Sequence, residues 1–154
     1  MKKELNIKDH IADMLQNCRF AVLATEGKGQ PHASLIAITP IEGFKSLIFA
    51  TYRNTTKYRN ISQNSKVAVL IEGKDLNRFT LQEGFVLTAF GNADEISLTG
   101  NDTALCAHIA RHPDLASFMK STDCALIQII VASYQVVNGT EDVNWYSIQE
   151  LDEI

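Results

Sequence analysis

Thr51-Tyr52-Arg53-Asn54-Thr55-Thr56-Lys57 is where side chains of one chemical character crowd together in this sequence. Three threonine hydroxyls and two cations fall within seven residues, where an apolar strand pattern gives way to a helical one. The first N–H groups of a helix lack intrahelical acceptors and carry partial positive charge. N–H groups, hydroxyls and cations can therefore converge there on a dianion such as a phosphate monoester. A plainer reading uses the same residues: Asn54 and Thr55 cap the helix and the charges face solvent. From Gly43 to Ile71 the chain holds five bases, Lys45, Arg53, Lys57, Arg59 and Lys66, and no acid. All 18 acids lie elsewhere, in a chain of net charge −4. A basic island in an acidic protein marks a site for an anionic ligand.

Other residues invite chemistry less strongly. His108 and His112 lie four apart on a predicted helix, the spacing that puts two imidazoles on one side as metal sites do. The intervening Ile109-Ala110-Arg111 lacks the acid of a metalloprotease helix, and Arg111 repels a cation, so no metal is expected and His112 before Pro113 reads as a helix-boundary residue. Trp145, the only tryptophan, offers a broad apolar face that either covers a flat ligand or packs the fold. His32 either donates a hydrogen bond to a ligand or is an ordinary strand histidine. The acids Glu150, Asp152 and Glu153 read as a solvated tail. The glycine fingerprint of a dinucleotide fold and the phosphate loop ending in Gly-Lys-Ser or Gly-Lys-Thr are both missing.

The elements that must position these residues are readable from periodicity. Ile7, Ile11, Met14 and Leu15 fall at helical spacing behind Asn6 as N-cap, with Asp9 three residues on, which predicts a short amphipathic helix ending near Cys18. Phe20 to Thr25 reads as a strand, Glu26 to Pro31 as a glycine-bearing hairpin loop, and His32 to Thr39 as the return strand. On that strand His32, Ser34, Ile36 and Ile38 share one face and Ala33, Leu35 and Ala37 the other. Strands are predicted at Leu47 to Thr51, Val67 to Ile71, Gly84 to Ala93 and Cys124 to Val137, and helices at Thr55 to Ser62, Thr103 to Arg111 and Pro113 to Lys120. Six or so strands in mostly hairpin order, with the helices grouped, predict a mainly β chain: an antiparallel barrel with helical decorations.

The 154 residues suffice for one core, with about 70% of the unfolded surface buried at this size, and no linker or repeat divides residues 1–154, so one domain is expected. No apolar run approaches the roughly 18 residues of a membrane span, and no signal core follows Lys2 and Lys3. Cys18, Cys106 and Cys124 are odd in number and widely spaced. Together these predict a cytoplasmic protein with reduced thiols and no membrane partner, in which tripeptides of the glycosylation pattern, such as Asn101-Asp102-Thr103 and Asn138-Gly139-Thr140, are turns and caps. The negative net charge argues against nucleic acid.

The run His32-Ala33-Ser34-Leu35-Ile36, then Leu47-Ile48-Phe49-Ala50-Thr51, Thr55-Thr56-Lys57, Ile61 to Asn64 and Lys66-Val67-Ala68-Val69 resembles the FMN-binding half of pyridoxamine-phosphate-oxidase-like proteins. The likeness is best from Phe20 to Glu72 and weaker through Gly84 to Asp94, and it implies an FMN-binding split β-barrel. By matching position, His32, Ala33, Ser34, Leu35 and Ile36 would flank the isoalloxazine, and Thr51, Thr55, Thr56 and Lys57 would hold the phosphate with Arg53 as helper. Trp145 is the candidate cover. The resemblance further implies a homodimer with flavin at the interface and an oxidoreductase acting on a small molecule. A flavin or haem-binding stress or sensor protein without turnover is the alternative, and a deazaflavin replaces FMN in some relatives. Oxidases that make pyridoxal phosphate usually carry arginine where this chain has His32, often carry it at Thr56, and end in an arginine-bearing segment that this chain lacks, which points away from that particular reaction. Flavin chemistry needs a slot, an anchor and tuning hydrogen bonds but no protein nucleophile, in keeping with a sequence that shows no catalytic triad or carboxylate pair.

Overall fold

A computed structural model describes residues 6–72, 85–99, 102–139 and 142–154. Helix α1 (Ile7–Asn17) begins at Asn6, whose side chain accepts the Asp9 N–H, and buries Ile11 and Leu15. Strands β1 (Phe20–Gly27) and β2 (Gln30–Ala37) form a hairpin. Its two-residue turn, Lys28-Gly29, has both φ angles positive, at 52° and 82°, a geometry whose twist suits tight hairpins. The predicted loop of Glu26 to Pro31 is thus shorter than expected, because pairing continues to Gly27 opposite Gln30. The predicted return strand is two: β2 ends at Ala37, and after Ile38 the chain enters β3 (Thr39–Ile41), which pairs with β4 (Ser46–Tyr52). Helix α2 (Thr56–Gln63) and β5 (Lys66–Glu72) follow.

Strands β6 (Phe85–Ile96) and β7 (Cys124–Asn138) are longer than the rest. Between them come α3 (Asp102–Arg111), a 3₁₀ turn at Pro113–Leu115 and α4 (Ala116–Met119). The chain ends in β8 (Asp142–Ser147) and α5 (Ile148–Asp152). Gly84, Asn101 and Thr140, used in the sequence reading, lie outside the described residues.

Among the described residues every strand pairing is antiparallel, in the order β2-β1-β5-β6-β7-β4-β3, with β8 added to β7. Because β2 runs on into β3, the two ends of this order are one piece of chain, and the sheet curls into the predicted barrel. β7 serves two neighbours along one edge, β4 at Cys124 to Ile130 and β8 at Ser133 to Asn138. A bulge at Ala132 separates these stretches, since Phe90 pairs with Ser133 but Gly91 with Val131. Gly91 allows it: a Cβ there would lie 2.2 Å from the Ile130 carbonyl oxygen.

Leu23, Ile38, Phe49, Val69, Leu87 and Ile129 fill the barrel, and Ile11 and Leu15 of α1 join them. A second cluster of Ile48, Met119, Cys124 and Leu126 lies under α3 and α4. β4 thus packs on both faces, which accounts for its unbroken apolar run from Leu47 to Ala50. The end of the chain departs from the sequence reading: it adds a strand and a short helix that buries Leu151, and Asp152 pairs with Lys45 at 3.2 Å. One leucine among acids is too short a pattern to announce such a helix.

Candidate functional site

Helix α2 lies on β1 at close range. Asn60 Nδ2 donates to Thr25 Oγ1 at 3.0 Å, and a Cβ on Gly27 would meet Asn60 Oδ1 at 2.1 Å. Only glycine lets the strand and helix approach this far. The helix start is thereby fixed beside the end of β4.

Thr55 is the N-cap: its hydroxyl accepts the Tyr58 N–H at 3.3 Å, donates to the Tyr52 carbonyl at 2.8 Å and lies 3.1 Å from Thr51 Oγ1. The capping reading therefore holds for Thr55. Thr51 is buried, while Thr56 is exposed and accepts from Arg59 Nη2 at 3.4 Å. Lys57 turns into a groove of about 230 Å³, with Phe20, Leu35, Ile36, Ala37, Ala50, Leu115 and Phe118 as its other walls. Among the described residues no acid pairs with the Lys57 ammonium; the ion pairs are Lys45 with Asp152 and Arg53 with Glu95. The site is an apolar slot with a free cation at its edge.

The face assignment of β2 holds: Ile36 and Ile38 are buried, and Ala33 and Leu35 point outward, Leu35 being 68% exposed. On the inner face His32 Nδ1 and Ser34 Oγ are buried without a hydrogen-bond partner. A buried polar atom left unpaired costs about 1–3 kcal/mol, so two on one strand beside a groove is a feature to explain. Neither residue is itself among the walls of the groove, which β2 lines through Leu35, Ile36 and Ala37.

Arg53 differs from the expectation. Its Nε donates to Glu95 Oε1 at 3.1 Å, its Nη2 to Glu95 Oε2 at 3.3 Å and its Nη1 to the Thr122 carbonyl at 2.8 Å. Tyr58 donates to the same carboxylate at 2.8 Å. Arg53 holds the Glu95 carboxyl below its usual range, while the bond to Glu95 raises the Tyr58 phenol. These bonds engage three of the five guanidinium N–H groups, and the side chain is 43% exposed. Trp145 also stands apart: it is 56% exposed, packs 5.1 Å from the Phe90 ring and is not among the groove walls.

The walls that sequence reasoning missed are Phe20, Ala37, Ala50, Leu115 and Phe118. Ala50 was within reach, being next to Thr51 on a strand already picked out. Leu115 and Phe118 come from a distant helical segment whose apolar pattern says only that it packs.

The histidine pair is a structural joint. His108 is fully buried, its Nδ1 lies 2.7 Å from Thr39 Oγ1, and its ring centre is 4.9 Å from that of His112. His112 Nε2 donates to the Ile38 carbonyl at 2.7 Å, and the residue precedes the 3₁₀ turn as its boundary. Arg111 donates to the carbonyls of Ile38, Leu15, Gln16 and Cys18 at 2.7–3.1 Å, closing the C-terminal end of α1. Burial, then the neighbouring charges of His112 and Arg111, lower the His108 pKa from 6.5 to about 4. Both imidazoles favour the neutral form. Among the described residues no three His, Cys, Asp or Glu side chains form a metal-binding group.

The family model described as Pyridoxamine 5'-phosphate oxidase matches residues 7–137. The chain belongs to the pyridoxamine 5'-phosphate oxidase family. Solved structures agree in fold. A heme binding protein from Mycobacterium smegmatis superposes with a TM-score of 0.86 at 14% identity over 98% of this chain. ChuZ from Campylobacter jejuni gives 0.80 at 13% over 97%. The General Stress Protein 26 from Bacillus anthracis str. Sterne gives 0.71 at 20%, covering 94% of this chain and 100% of that one. This chain spans only 62% of the Mycobacterium protein and 63% of ChuZ. At such identities the likeness is one of fold. No curated protein matches the chain.

Proposed function

We propose that this family member binds FMN with its ring along β2 and its phosphate at the start of α2, and serves as an oxidoreductase for a small molecule. The observation that carries the reading is the pair of unpartnered buried atoms, His32 Nδ1 and Ser34 Oγ, on the strand that also forms the groove wall with Lys57. His32 and Ser34 would hydrogen-bond the ring edge, Leu35, Ile36 and Ala50 would pack its faces, and Lys57 with Thr56 would meet the phosphate. Thr51 and Thr55 hold the helix start in place through their linked hydroxyls. Bound FMN would supply a two-electron acceptor, which the protein orients and shields.

We place the flavin between two copies of the chain. Leu35, Val22, Leu70, Thr88, Gln135 and Trp145 face one another in successive pairings and so form one row across the outer surface of the sheet. Leu35 is 68% and Trp145 56% exposed in the single chain. A partner seated there would cover the row and bring Trp145 towards the flavin. Among the described residues no helix is long and apolar enough to cross a membrane, and all three cysteines are free thiols, which suits the cytoplasm.

A yellow protein with flavin absorption, bleached by a nicotinamide donor and restored by an added acceptor, is the expected result. The fold shared with a heme binding protein supports a second reading, in which the barrel carries haem or stores flavin without turnover. A Soret band on adding haem, with no flavin uptake, would select that reading.

A further inference from the structure

Beyond the groove, a second pocket of about 210 Å³ lies between the tip of the β1–β2 hairpin and the flank of α2, lined by Gly27, Lys28, Thr56, Arg59, Asn60 and Gln63. Thr56, Arg59, Asn60 and Gln63 fall at i, i+3, i+4 and i+7, so they form one face of the helix. Lys28 approaches from the hairpin. No carboxylate is among these lining residues, and neither cation is in an ion pair among the described residues. Glu26, the nearest acid along the chain, accepts from the Gly29 N–H and from Asn64 Nδ2 at 2.9 Å. Lys28 itself stands at a positive φ of 52°, a position that glycine or asparagine occupies more readily.

We propose that this pocket is a phosphate-binding subsite with Arg59 and Lys28 as its cations. The inference deepens the flavin reading, since a phosphate monoester carries close to two negative charges and Lys57 provides one positive charge. With Arg53 bound to Glu95, Arg59 is the next cation on α2, and it already reaches back to Thr56, the residue before Lys57. The phosphate belongs either to the flavin itself or to a second ligand, such as a nucleotide electron donor, lying across Thr56 from it.

Titration of the wild type, Arg59→Gln and Lys28→Gln with FMN, with riboflavin, and with inorganic phosphate before and after FMN loading separates these sources. Both side chains are exposed, so the variants are expected to fold like the wild type, which an unfolding curve checks. If the flavin phosphate is the occupant, Arg59→Gln weakens FMN about tenfold and leaves riboflavin unchanged. If a second ligand is the occupant, FMN affinity holds and the FMN-loaded protein loses about tenfold in phosphate affinity. Phosphate binding to the bare chain that depends on Arg59 supports the subsite even if the wild type takes up no FMN. FMN and phosphate affinities that are the same in all three proteins overturn it.

Discussion

Two basic clusters, Lys57 and Arg59 on α2 and His108, Arg111 and His112 at the end of α3, look alike as residue types but differ in how far their cations are engaged. At the end of α3 Arg111 is bound to four backbone carbonyls and His112 to the Ile38 carbonyl, while His108 bonds Thr39 through Nδ1 and keeps its Nε2 buried without a partner. At α2 the Lys57 ammonium faces an apolar groove with no acid beside it, and two buried polar atoms on β2 lack partners. A cluster whose bonds close on its own backbone is a joint of the fold. Lys57, which lines a groove without an acid partner among the described residues, is the cation that the proposed flavin site draws on.

The largest expected effect comes from opening the closed cluster. Arg111→Met removes the donor from three carbonyls at the end of α1 and from that of Ile38, which keeps His112, and is expected to cost about 4 kcal/mol in stability by chemical denaturation. FMN affinity of the folded fraction should stay the same. If Arg111→Met is as stable as the wild type, the joint is not one.

Acid tests the same cluster. His108 titrates near 6.5 when unfolded and about 4 when folded, so between these values the unfolded chain binds the extra proton. Stability is therefore full above pH 6.5 and falls as pH drops towards 4, by up to about 3 kcal/mol. Unfolding curves at pH 7, 5.5 and 4.5 measure this, and His108→Gln should flatten the slope.

The open cluster responds in binding. Lys57→Ala is expected to weaken FMN by about 1.5–3 kcal/mol, roughly ten- to a hundredfold, with unfolding little changed. Arg53→Ala should be the mildest: its salt bridge with Glu95 is exposed to solvent, so little change in stability and no more than a twofold change in FMN affinity are expected. A tenfold loss of FMN affinity in Arg53→Ala would restore Arg53 to the phosphate.

The helices and strands that hold the site were legible because their signals are local: Asn6 capping α1, the alternation on β2 and the hydroxyls before α2 all carry their meaning within a few residues. The pairing of Arg53 with Glu95 was not legible because the two are 42 positions apart, and nothing in Thr51 to Lys57 announces a carboxylate arriving from β6. Leu115 and Phe118 became groove walls for the same reason. The division of His32–Thr39 into two strands was hidden because the apolar alternation passes through Ile38 unbroken while the pairing partner changes from β1 to β4.

The most direct test compares FMN with riboflavin on the wild type and on Lys57→Ala, by quenching of flavin fluorescence. The account predicts that the wild type prefers FMN by at least about tenfold and that Lys57→Ala loses most of this preference. Equal affinities for the two flavins in the wild type, or no uptake of either, would contradict it.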